Sequence, residues 1–130
     1  MENKYAQASE IKQSFNFLTA YRFSVTREET VWRGAYVEYR GNGIKVSLDF
    51  DFKDYAFHFL IYRREDLKYS DAECGKDIRS FSDLATKYQT NYDCVQLQPD
   101  RQSGYHQALE RNAELLQKYG LRILSGEEWF

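Results

Sequence analysis

Tyr5, Ala8, Ile11, Phe15 and Leu18 recur at steps of three and four residues, the interval at which one face of an α-helix returns. A helix is therefore expected over about residues 3–21, with Lys4, Glu10, Lys12 and Gln13 on its wet side. After Tyr21 the period changes. Phe23 and Val25, followed by Thr26-Arg27-Glu28-Glu29, read as a short strand and turn, and residues 31–40, rich in β-branched and aromatic side chains, read as a longer strand. Gly41-Asn42-Gly43 supplies residues that tolerate the positive φ of a tight hairpin. Beyond it Ile44, Val46, Leu48, Phe50 and Phe52 alternate with Lys45, Ser47, Asp49 and Asp51, which turns one set to a core and the other to water. Lys53-Asp54 then leads into residues 55–63, apolar or aromatic on both sides, as a covered central strand requires.

Helical spacing returns after a polar stretch, as Ile78, Phe81, Leu84, Ala85 and Tyr88, and Asp77 is placed to cap a helix over about residues 77–89. A loop with Cys94 and Pro99 precedes a third helix. Its face is Tyr105, Ala108, Leu109, Asn112, Leu115, Leu116 and Tyr119, and Gly120 stands where a left-handed cap belongs. The tail from Leu121 is read as a short strand and a terminal turn anchored by Trp129 and Phe130. The expected fold is α+β: an N-terminal helix, a four-stranded antiparallel meander, and two C-terminal helices packed on one sheet face.

Composition narrows the class. With 130 residues, 42% hydrophobic and 29% charged, residues 1–130 suit one domain with one core, too apolar for a disordered chain and too charged for a membrane protein. Only one proline and seven glycines are present, so no linker can be drawn. The start, MENKYAQASEIK, lacks the basic and apolar regions of a secretion signal, so a cytoplasmic location is expected. Cys74 and Cys94 form no CxxC pair and read as reduced thiols. A net charge of −2 lacks the basic excess that phosphate binding needs, which disfavours nucleic acid as a partner. Tyr36, Tyr39 and Tyr62 near Arg33, Arg40 and Arg63 could stack on bases, but the neighbouring carboxylates would repel phosphate.

Motifs that carry chemistry are absent: no GxGxxG, GxxxxGK[ST], GxSxG or HExxH occurs. Asp49 and Asp51 share a strand face about 6.5–7 Å apart and, with Asp54, form a DxDxxD cluster. The glycine and glutamate of a calcium loop are missing from the required positions, and a solvated acidic face is the favoured reading. His58, in an apolar strand, reads as a satisfied sheet histidine, and a Cys94–His106 nucleophile pair has no local signature around it. Carboxylates and rings do gather in two places: Asp49, Asp51, Asp54 and Tyr55 at one strand end, and Glu65, Asp66, Tyr69, Asp71 and Glu73 in the loop that follows. Rings that bury area beside acids that steer a basic partner make a protein-binding surface, so these nine residues are the candidate interface, with no catalytic residue, metal or cofactor expected.

The runs FLTAYRFSV and VEYRGNGIKVSLDFD, with a looser echo in LERNAELLQKYGLRIL, resemble a pattern in small bacterial α+β proteins. That pattern has a leucine, an aromatic-Gly-Phe step, V-x-Y and an alternating strand ending in acids. Arg22 stands here where it usually has glycine. Some proteins of this kind are immunity proteins of contact-dependent and other polymorphic toxin systems. The resemblance implies a non-enzymatic protein that binds a cognate toxin domain, often a nuclease, and blocks its active site or substrate groove, and a monomer is the expected state of the chain. The alternative reading is a small metal-dependent or His/Asp-based enzyme with its site on the sheet.

Overall fold

The computed structural model describes residues 5–73 and 75–130. Lys4, the expected start of the first helix and the reading of Cys74 lie outside these residues. The chain runs α1 (Ala8–Ser14), a 3₁₀ turn (Asn16–Tyr21), β1 (Ser24–Val31), β2 (Gly34–Gly41), β3 (Ile44–Asp51), β4 (Ala56–Tyr62), a second 3₁₀ turn (Tyr69–Asp71), β5 (Ile78–Ser80), α2 (Phe81–Lys87), α3 (His106–Tyr119) and α4 (Leu121–Leu124). The five strands pair antiparallel in chain order. The class is α+β as expected, with one strand more than the four read from the sequence.

The differences have local causes. The first helix is shorter than expected: α1 ends at Ser14 and the chain tightens into the 3₁₀ turn, where Leu18 N donates to the Phe15 carbonyl at 3.0 Å. Arg22 ends that turn in left-handed backbone at φ 72°. Residues 31–40 are not one strand: Val31 closes β1, Trp32-Arg33 turn, and β2 begins at Gly34. Residues 78–80 pair with β4 before the helix starts, so the cap of α2 is Ser80 in a capping box with Asp83, not Asp77. Gly120 has φ −92° and helical backbone, so no left-handed cap forms and α4 replaces the expected terminal strand. Trp129 does anchor the tail, donating from Nε1 to the Lys76 carbonyl at 2.7 Å.

All helices lie on one side of the sheet. Val37, Tyr39, Val46, Leu48, Phe50, Phe57, Phe59 and Ile61 point that way and are buried. Phe15 and Phe81 meet Phe59 edge-on at 5.7 and 5.6 Å, and Tyr105 reaches Phe50 at 5.8 Å. Where β5 is too short to pair with Phe57, the Gln98 amide takes its place, accepting from Phe57 N at 2.8 Å and donating to its carbonyl at 2.9 Å. Asn42-Gly43 makes the β2–β3 turn with φ of 54° and 78°, as its sequence requires.

Candidate functional site on the open face of the sheet

The pleat that buries Leu48 and Phe50 turns the alternate residues to the opposite face, on which none of the described α-helices packs. Strand register sets them in rows. Glu29, Tyr36, Asp49 and His58 lie side by side across β1 to β4; Glu38, Ser47, Leu60 and Ser80 form the next row, and Arg40, Lys45, Tyr62 and Ile78 the one beyond. Residues 63–73, which follow β4, fold back over the far end. There Leu67 is buried against Tyr62 and Ile78, and Lys45 Nζ donates to the Leu67 carbonyl. Lys45 also sits 4.1 Å from the Tyr62 ring centre.

Two cavities lie along this face and share Tyr36 and Asp49. The larger, about 850 Å³, is walled by the β1–β2 hairpin with Val31 and Trp32, and by Phe52, Asp51 and Lys53. The smaller, about 500 Å³, lies between His58, Leu60, Tyr62 and the β4–β5 loop, with Tyr69 at its rim. Trp32, at the hairpin tip, is 88% exposed, and Tyr69 is 62% exposed.

The charges between these rims are unequal in their support. Glu38, almost fully buried, accepts from Thr26 Oγ1 at 2.7 Å, Arg40 Nε at 3.2 Å and Tyr36 OH at 3.2 Å. Burial pushes its carboxyl up, but these bonds with Arg40 and Lys45 outweigh it, and the net direction is down. Tyr36 moves up, through burial and then the Glu38 charge. Asp51 spends one oxygen on the turn, accepting from Lys53 N at 3.0 Å and Asp54 N at 3.2 Å, while its other oxygen lies 3.9 Å from His58 Nε2. Asp49 is half-buried and, among the described residues, accepts no hydrogen bond. Burial raises its carboxyl, the Asp51 charge adds to this, and His58 opposes it.

Of the nine residues singled out in the sequence, the fold brings Asp49, Asp51 and Tyr69 onto this face. Tyr55 is a correction: it is only 8% exposed, its ring in the core 5.3 Å from Phe50 and 5.9 Å from Tyr5, because left-handed backbone at φ 51° turns it inward. Asp54 is exposed at the β3–β4 turn, while Glu65, half-buried, and Asp66, Asp71 and Glu73, exposed, follow the β4–β5 loop and line neither cavity. His58 is not enclosed in the sheet; its side chain is 54% exposed on the open face. Tyr39 points into the core, away from Tyr36 and Tyr62, so those three rings form no shared platform.

Trp32 and Tyr36 are the residues the interface reading missed. The Trp32-Arg33 turn uses no positive φ, so it carries no Asn-Gly signature; Gly34 just after it was the available signal. Its Cβ would stand 2.7 Å from the Phe50 carbonyl, which fixes glycine at the start of β2. Among the described residues, no three His, Cys, Asp or Glu side chains gather closely enough to hold a metal ion, and none of the helices is long and apolar enough to cross a membrane. Cys94 is exposed, and His106 packs on Tyr105 at 4.2 Å. No family model, curated protein or solved structure matches the chain.

Proposed function

We propose that this chain is a monomeric, cytoplasmic, non-enzymatic binding protein that neutralises a bacterial toxin domain by covering it with the open face of its sheet. The observation that carries the reading is Trp32: a tryptophan 88% exposed, at the rim of a cavity whose lining sets Glu29, Asp49 and Asp51 among Arg27, Arg33 and Lys53. Large rings, tryptophan and tyrosine above all, are what protein interfaces concentrate at their centres. The carboxylates of the adjoining smaller cavity, which among the described residues no lysine or arginine lines, would steer a basic target such as a nuclease surface. The resemblance of residues 11–62 to immunity proteins supplies the partner class. The test is co-expression with the product of the adjacent gene. The expected result is a stoichiometric complex and relief of that product's toxicity; a toxic neighbour that neither binds nor is relieved refutes the reading.

One observation favours a second reading, a small enzyme: Asp49 is a half-buried carboxylate of raised pKa in a cavity beside His58, an arrangement also found at catalytic sites. A melting temperature raised by Mg²⁺, Mn²⁺ or Zn²⁺ in the native chain but not in Asp49→Asn would favour it.

A further inference from the structure

The smaller cavity differs from the larger in one respect: among the described residues, neither lysine nor arginine lines it. Its ionisable charges are Asp49, Asp83 and His58. Asp83 is already matched by Arg79 Nε at 3.2 Å and by the Ser80 amide at 2.9 Å, and His58 lies against Asp51. Nearby cations are committed elsewhere, Lys45 to the Leu67 carbonyl and Arg27 to Glu29 at 2.9 Å. Among the described residues no ion pair reaches Asp49, which stands opposite Tyr36 in the ladder and shares the cavity with Tyr62; both rings accept cations within the chain itself, Arg27 standing 5.0 Å from the first and Lys45 4.1 Å from the second.

We infer that this cavity seats one arginine side chain of the partner protein, its guanidinium on the Asp49 carboxylate and its methylenes along Leu60 and Ile78. The inference rests on the protein-binding reading above. An apolar occupant would strip water from Asp49 and return nothing, and a neutral donor would return a hydrogen bond without the charge. At about 500 Å³ the cavity is far larger than a metal ion needs and lies in the range of small organic ligands. Arginine suits it better than lysine, because a planar, weakly hydrated guanidinium stacks on tyrosine and can meet a carboxylate with two parallel hydrogen bonds.

The test uses the isotope-labelled full chain and Nα-acetyl-arginine amide, with Nα-acetyl-citrulline amide as the uncharged control of the same shape. Arginine is expected to shift the amide resonances of Asp49, His58 and Tyr69, with citrulline weaker by about tenfold or more. Asp49→Asn, which keeps the shape of the side chain, should abolish the arginine response, and Tyr69→Ala should weaken it several-fold. Absence of shifts, equal response to citrulline, or an unchanged response in Asp49→Asn overturns the proposal. No partner is present in this experiment, so its failure removes the arginine seat alone, whereas failed capture of the toxin removes the binding reading.

Discussion

Tyr36 on β2 and Asp49 on β3 stand directly opposite each other in the ladder and form the boundary common to both cavities of the open face. Two residues away on β2, Glu38 collects three hydrogen-bond donors; Asp49 collects none among the described residues. Neighbouring carboxylates on one surface are thus driven in opposite directions, and they leave opposite marks on stability.

Asp49 has a folded-state pKa above its ordinary 3.8. Its contribution to stability is complete below that value and is lost as pH rises through the folded value, so at neutral pH the ionised group costs folding free energy. Asp49→Asn should therefore stabilise the free protein at pH 7, by less than about 1 kcal/mol given solvent screening. Melting curves from pH 3 to pH 7 check it, with the gain vanishing at the acid end; a less stable variant at pH 7 contradicts the assignment.

For Glu38 the sign reverses. Its folded-state pKa lies below 4.5, so its stabilisation is complete above that value and is lost as pH falls through the folded value. Glu38→Ala removes the carboxylate 4.0 Å from buried Lys45, which keeps the Leu67 carbonyl, and the acceptor of Thr26, Tyr36 and Arg40, and is expected to cost about 1–2 kcal/mol. Urea titration at pH 7 measures the loss, and the acid limb of the stability curve should flatten in the variant.

Trp32 touches little in the free protein. Trp32→Ala should change folding stability by no more than about 0.5 kcal/mol, while weakening the toxin complex by about 2 kcal/mol or more. Calorimetric titration of the complex separates the two quantities, and an unchanged dissociation constant would move the interface off the open face.

Arg22 and Gly41 meet where the 3₁₀ turn passes the end of β2. Arg22 holds left-handed backbone that glycine adopts freely, so Arg22→Gly is expected to stabilise by about 0.5–1 kcal/mol. A Cβ on Gly41 would lie 2.5 Å from the Arg22 carbonyl oxygen and 2.9 Å from Phe23, so Gly41→Ala must displace backbone and should cost about 2 kcal/mol or more. Denaturant midpoints with an unchanged slope would establish both.

The parts of the fold that the residues announce are those whose physics is local. The alternation from Ile44 to Phe52 orients β3 because each side chain's face follows from a period of two, and Asn42-Gly43 marks its turn because few other residues enter that backbone conformation. The Ala108–Leu116 stripe marks α3 in the same way. Residues 78–80 are a strand only because β4 offers them a partner. Their apolar spacing is also helical, and three residues are too few for periodicity to separate the two.

The candidate site divides along the same line. Strand alternation alone put Asp49 and Asp51 on one polar face, and it stands in the structure. That Tyr69 comes to the same cavity across the β4–β5 loop, that Tyr55 turns inward, and that Trp32 projects from a hairpin tip depended on how loops pack against a finished sheet. A side chain's face within a strand is decided by its neighbours in the chain, but what it meets across a cavity is decided by segments far away in sequence, whose positions are set only when the hydrophobic core closes.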